Sequence, residues 1–425
     1  MSDDFRKNEH HFYKTAFRGC NYSLMDNAGV TLFSAVISPD AEGDRQTRIL
    51  SAIQRLDTLL QKERLEGSVI GQTVFLRDIG DKPLVRRLLL EYYGDNLPVI
   101  TYVPQPPCDD DHLLLFEVLA MKGKTRKMKI LRRGEQGVIV DVAGLSFGFF
   151  GDILPEAKPV GAYARSLSAF TRMKSVMEEN GFVVADLLRT WLYQGGIVQP
   201  EGTTQRYKEL NRARTDFFEG TRFLENFIPT GKSGVIYPAS TGIGASGIDI
   251  TMSCIALLAE SGGANGSSKK IVTIPLENPG QTPAFDYGAV YSPQSPKFAR
   301  AMAVVSENDC NIFISGTASI VDSETKFAGD PAAQTRQTIE NIRALISAEN
   351  LKRHGIPGFG AGLENLAAVR VYVKRKEDYS VIRAICEEIF GATPIIYTLA
   401  DVCRDDLLVE IEGIAACRPM GSFQF

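Results

Sequence analysis

An order of elements written twice in one chain restricts the available folds more than any other property of these 425 residues. The first copy opens with an apolar strand over residues 30–38. From Gln46 onward Ile49, Ile53, Leu56, Leu59 and Leu60 recur at helical spacing. A β-rich segment SVIGQTVFLRD follows, then a helix over Lys82 to Tyr93, and two strands, PVITYVP and HLLLFEVLAM. The predicted order is β-α-β-α-β-β. Near the C-terminus it returns as NIFISGTASI, DPAAQTRQTIENIRALIS, AAVRVYVKRKED, YSVIRAICEEIFG, PIIYTLAD and DLLVEIEGIA. Gln46-Thr47-Arg48 and Gln334-Thr335-Arg336 open the matching helices, and Pro98 and Pro394 open the matching penultimate strands. A fainter third copy lies between them: SFGFFG, a helix around Ala162 to Asn180, LLRTWLYQ, a helix around Thr204 to Leu224, VIYPASTGIG and DITMSCIALLA.

A sheet covered by helices on one side has a second face to bury, so repeated units of this kind are expected to pack on one another. The expected fold class is α+β, with three tandem modules over residues 1–122, 123–262 and 263–425. The second boundary falls in SGGANGSSKK at 261–270, which has linker composition.

Composition excludes several function classes. With 47 basic and 51 acidic residues the net charge is -4, which exerts no general pull toward nucleic acid. The local basic cluster from Lys122 to Arg133 has no interleaved aromatic residue for base stacking, and reads as a solvated connector. No apolar run has the roughly 20 residues of a membrane span. The segment MSDDFRKNEHH lacks the apolar core of an export signal, so a cytoplasmic, soluble protein is expected. Seven cysteines without a CxxC pair suit free thiols, and His112 and His354 have no pattern for a metal site.

Several strings carry a resemblance. FISGTASI, the helix from Gln334 to Ile342, VYVKRKEDY and LLVEIEGIA resemble the YjgF/RidA family, whose fold is chorismate-mutase-like and whose trimers place sites between subunits. Three such modules in one chain imply a single-chain pseudo-trimer, hence a monomer. Over residues 140–418 the chain more closely resembles the chorismatases, through RTWLY, RYKELNRAR, PASTGIGASG, ENPGQTPAFDYGAVYSPQSPKFARA, SAENLKRHG and CRDDLLVEIEG. The resemblance implies cofactor-free cleavage of a small dianionic enol ether, chorismate, into pyruvate and a cyclic acid. Neither a metal, a nucleic acid nor a membrane is implied as partner.

Protonating the methylene carbon of an enol ether calls for a carboxylic acid that keeps its proton near neutrality, which burial achieves. Glu410 matches the family's catalytic glutamate. Strand alternation places it with Glu412 and opposite Val409 and Ile411. Leu115 and Glu117 occupy the corresponding places in the first copy, and Glu412 is expected to be a bystander. The resemblance further implies that Cys403 and Gly316 mark the branch making 3-hydroxybenzoate, where the diene-forming branch has alanines. It assigns Arg189, Tyr207, Arg214, Tyr291 and Arg300 to binding the substrate, two carboxylates favouring arginine. Two departures stand out: Leu192 and Gln294 replace the Asn and Arg of the family's RTWNY and YGPR. PASTGIGASG lacks the spacing of a nucleotide loop and reads as a turn between strands, with Thr241 and Gly242 edging the cavity. The alternatives are an imine or enamine deaminase and a non-catalytic ligand-binding protein. The arginine that deaminases place after the penultimate-strand proline is absent at Val99, Ala239 and Ile395.

Overall fold

The computed structural model describes residues 12–27, 29–228, 236–259, 271–288, 293–417 and 419. The predicted linker at 261–270, the boundary inside it and Tyr291 lie outside these residues.

The first part of the chain forms β1 (Phe12–Phe17), β2 (Cys20–Asn27), β3 (Val30–Ile37), α1 (Arg45–Glu63), β4 (Val69–Leu76), α2 (Lys82–Tyr93), β5 (Val99–Val103) and β6 (Leu114–Gly123). The second contains β7 (Met128–Arg132), β8 (Gly137–Val142), β9 (Leu145–Ile153), α3 (Ala162–Glu178) and β10 (Leu187–Gly195). A small ribbon, β11 (Pro200–Glu201) and β12 (Thr204–Gln205), leads into α4 (Arg206–Phe218), β13 (Ala239–Ala245) and β14 (Ile250–Ala259). The third contains β15 (Val272–Leu276), β16 (Ala301–Val305), β17 (Cys310–Ala318) and a second ribbon, β18 (Ile320–Val321) and β19 (Glu324–Thr325). It ends with α5 (Pro331–Ile346), α6 (Ala348–Arg353), β20 (Leu366–Val373), α7 (Tyr379–Phe390), β21 (Ile395–Leu399) and β22 (Val409–Cys417).

The main strands make three six-stranded sheets of one plan, ordered β1-β2-β3-β6-β4-β5, β7-β8-β9-β14-β10-β13 and β15-β16-β17-β22-β20-β21. In each, the strand after the last helix runs parallel to the main-sheet strand that precedes that helix. Pro98, Pro238 and Pro394 stand just before those strands, where no ladder donor is needed. Each sheet also has a register shift in the same place, at Val69/Gly71, Leu187/Arg189 and Leu366/Ala368.

Local chemistry explains the helix starts. The Asp44 side chain accepts from the Thr47 N–H at 2.7 Å and Asp330 accepts from Ala333 N–H at 2.9 Å, capping α1 and α5. The apolar stripe of α1 buries Ile49, Ile53, Leu56, Leu59 and Leu60 against its sheet. The opposite sheet faces pack together. Phe75 and Leu115 from the first sheet, Tyr193 and Ile243 from the second and Tyr372 and Ile396 from the third share one buried cluster.

Two sequence expectations need correction. The basic segment after Lys122 is not a free connector. Lys122 still belongs to β6, and residues 128–132 form β7, whose Met128, Ile130 and Leu131 pack on the second core. Arg132 donates to the carbonyls of Gly67, Val69 and Leu97, so this charge is held by backbone dipoles. ASTGIGA is a strand, β13, rather than a turn. Its glycines serve close approach: a methyl on Gly244 would stand 2.6 Å from the Asp401 carbonyl oxygen, which accepts from the Gly244 N–H at 2.8 Å. The opening strands β1, β2, β7, β8, β15 and β16 were not foreseen, because the repeat is legible only from each third strand onward. No helix among the described residues is long and apolar enough to cross a membrane.

Candidate active site

The site is built on β22. Val409 and Ile411 enter the core beneath α5 and α7, and strand alternation turns Glu410 and Glu412 to the opposite face. Glu410 pairs with Tyr372 as Leu115 pairs with Phe75 and Thr251 with Tyr193. Of these three equivalent positions only the one on β22 bears an acid.

Beside Glu410, the pairing of β17 with β22 shifts between Ile314 and Thr317. Gly316 lies in this irregularity, and a methyl there would stand 1.9 Å from Glu410 Oε1. The missing side chain is what gives the carboxyl its place. Two hydrogen bonds dock β13 here: Ser240 N–H donates to Ser315 Oγ and Gly316 N–H to Thr241 Oγ1, each at 2.9 Å. The second and third sheets meet at this point.

A cavity of about 280 Å³ opens over the seam, lined by Glu410, Gly316 and Cys403 from one side and by Tyr207, Asn211 and Ser240 from the other. On α4, Tyr207, Asn211 and Arg214 follow at spacings of four and three, so one helix face supplies all three. Arg214 stands behind the wall, donating to Asn211 Oδ1 at 2.6 Å and Ser240 Oγ at 3.3 Å. Arg300 lines the cavity itself and donates to the Thr282 carbonyl and to the Tyr287 hydroxyl. Arg300 Nε is buried without an acceptor among the described residues, whereas Asn211 and Arg214 both bond to the Tyr207 side chain. A buried donor in that condition costs about 1–3 kcal/mol, so the wall favours a ligand carrying acceptor oxygens. Lys208 and Arg404 add further positive charge to the lining.

The acid is matched to this wall. Burial raises the Glu410 carboxyl to about 8, the charge on Glu412 adds to the rise, and Arg300 and Arg189 oppose it. At neutral pH Glu410 therefore keeps its proton. Burial also pushes the Cys403 thiol up to about 12, so it stays a neutral, compact neighbour rather than a thiolate nucleophile.

The structure thus brings Glu410, Gly316, Cys403, Tyr207 and Arg300 to one cavity and sets Arg214 directly behind it. Arg189 is the correction. Its Nη2 donates to Glu412 Oε2 at 2.6 Å and to Thr241 Oγ1 at 2.5 Å, and it does not line the cavity. A buried carboxylate on the neighbouring sheet is the stronger claimant for a guanidinium with 2% side-chain exposure. Glu412 is correspondingly no bystander: it also accepts from Trp191 Nε1, the Tyr372 hydroxyl and Arg370. Both departures from the family strings fall off the cavity. Leu192 is fully buried in the core of the second sheet, and Gln294 is half-buried and outside the lining. Asn211, Lys208, Tyr287, Phe298 and Arg404 were missed. The helical spacing from Tyr207 was the available signal for Asn211; the others stand on the lining only because separate segments converge there.

The chain is similar to known proteins over much of its length. The Endoribonuclease L-PSP family model matches residues 298–417. A 3-hydroxybenzoate synthase of Streptomyces hygroscopicus is 37% identical over 264 residues, 60% of this chain and 71% of that one. A chorismatase of Streptomyces rapamycinicus is 34% identical over 261 residues, with 60% of this chain and 71% of its own covered. The chain belongs to the chorismatase family. A solved chorismatase superposes with a TM-score of 0.61 at 26% identity, covering 82% of this chain and 93% of the other. The chorismatase relationship therefore holds for fold as well as sequence.

Proposed function

We propose that this protein is an enzyme that cleaves the enolpyruvyl ether of chorismate to pyruvate and a cyclic acid, 3-hydroxybenzoate. The observation that carries the reading is a buried Glu410 carboxyl, protonated up to about pH 8, in a cavity walled by Arg300 and by Asn211, which Arg214 holds from behind. Glu410 gives its proton to the methylene carbon of the ether. A ring hydroxyl adds to the oxocarbenium ion and loses its proton. The bond from that oxygen to its ring carbon then breaks as the ring loses a hydrogen as H+ and becomes aromatic. The adduct collapses to pyruvate and the phenol, and a released proton restores Glu410, so no net water is consumed. Capture by water would give the dihydroxylated diene instead. Arg300 and Asn211 hold a substrate carboxylate, Arg214 keeps Asn211 oriented, and Tyr207 closes the side of the pocket. Cys403 and Gly316, both on the cavity, support the 3-hydroxybenzoate product, as does the name of one relative.

The same reading treats the three sheets as three modules, 1–122, 123–262 and 263–425, arranged as a pseudo-trimer within a monomeric, cytoplasmic chain. The shared strand order and the common register shifts support the division into three modules. Incubating the purified protein with chorismate and assaying pyruvate tests the function. Pyruvate release with 3-hydroxybenzoate in equal amount is expected; no pyruvate at any substrate concentration refutes it.

A further inference from the structure

Of the described residues lining the candidate cavity, none comes from the first sheet, yet that sheet is tied to it by a buried chain of charges. Glu117 on β6 holds Arg370 on β20 with both oxygens, Nε to Oε1 at 2.8 Å and Nη2 to Oε2. Arg370 Nη1 continues to Glu412 Oε1 at 3.0 Å and to the Tyr193 hydroxyl at 2.8 Å. Glu412 Oε2 then takes Arg189 Nη2. The four side chains line a small chamber of about 100 Å³ to which all three sheets contribute. Two carboxylates and two guanidiniums balance.

Glu412 shares a strand face with Glu410, so the field at Glu410 depends on how fully Glu412 is neutralised. Arg370 divides its attraction between Glu412 and Glu117. We propose that Glu117 is a positioning residue for the proton donor, setting through Arg370 and Glu412 the charge that stands behind Glu410. The first sheet then serves the reaction without touching substrate. The inference rests on the reading of Glu410 as the acid. The other groups facing Glu410 are Arg189 on β10, Arg300 before β16, and Cys403, Arg404 and Asp405 in the loop before β22. Tyr207 and Lys208 from α4 and Tyr287 complete the set. All remain in place when Glu117 is changed.

The test is the pH profile of kcat/KM for full-length E117Q. The amide still accepts from Arg370 but brings no charge, leaving one net positive charge in the chain. A unit charge on the order of 10 Å away at an effective dielectric near 20 moves an ionisation by about one unit. The alkaline limb of E117Q is expected to fall by about half a unit to one unit. In the double variant E117Q/R370Q the chain is neutral again and the limb returns to its wild-type position. A merely structural role lowers kcat in both variants and moves neither limb, and that result overturns the proposal. Should E117Q not fold, Glu117→Asp, which loses the two-oxygen grip, must move the limb the same way by less; a folded Glu117→Asp enzyme with an unmoved limb overturns it equally. Wild-type turnover in E410Q sinks the underlying assignment instead, so the two failures are told apart.

Discussion

Raising the pH past neutrality removes the proton on which the proposed chemistry depends, and the structure says where. With Glu410 at about 8, some nine-tenths of the enzyme is in the acid form at pH 7 and about one-tenth at pH 9. kcat/KM is expected to be level up to about pH 7 and then to fall, approaching tenfold per unit above pH 8. Glu410→Gln has nearly the same shape and is expected to retain substrate binding while turnover drops by roughly two to four orders of magnitude. The same proton enters stability. Between the ordinary value of 4.5 and about 8 the folded state holds a proton that the unfolded chain has released. The folded state binds more protons there, so stability falls as pH rises through this window and levels off above it. Glu410→Gln, neutral throughout, loses this part of the pH dependence. Continuous pyruvate assay across pH 5 to 10, with chemical denaturation at the same pH values, reads both. A limb near pH 5 in place of one near pH 8, or wild-type turnover in Glu410→Gln, would refute the assignment of Glu410 as the acid.

Other expectations follow from the same geometry. In Gly316→Ala the new methyl meets Glu410 Oε1 at 1.9 Å, more than an ångström inside ordinary contact, so the carboxyl must swing away. The shift is expected to lower kcat by up to about 100-fold with little change in melting temperature; unaltered kcat would show that Gly316 does not set the acid's position. Combining it with Cys403→Ala is expected to move product from 3-hydroxybenzoate toward the dihydroxylated diene, read by chromatography of the ring acids. Arg300→Gln is expected to raise KM at least tenfold with a smaller effect on kcat, because a carboxylate contact already exists in the ground state. Glu412→Gln leaves Arg189 and Arg370 without their shared carboxylate, and breaking a buried pair in this way costs about 3–5 kcal/mol; a denaturation midpoint equal to wild type would contradict the central role given to Glu412.

Much of this protein was readable from local signals. Helical spacing in α1 and α5, prolines before the parallel strands and two-residue alternation in β22 are properties of neighbouring residues. They sufficed to place Glu410 and Glu412 on one face and to align them with Leu115 and Glu117, an alignment that the strand registers reproduce. The opening strands escaped because β1 is half-exposed and carries no regular alternation that a period of two can detect. Gly244 in β13 was misread because the reason for its lack of a side chain is the Asp401 backbone far along the chain.

The roles of the arginines show where sequence stops. Arg189 is 223 residues from Glu412, and only the packing of the second sheet on the third makes that carboxylate its partner instead of a substrate. Arg370 reaches 253 residues back to Glu117, so the first sheet enters the charge balance at a place no motif marks. Residue type and spacing determined which face of which strand carries the acid, since backbone geometry repeats every two residues. Whether that acid keeps its proton, and which cations stand before or behind it, was decided by burial and by contacts between sheets, because solvation and Coulomb interactions depend on distance in space and not on position along the chain.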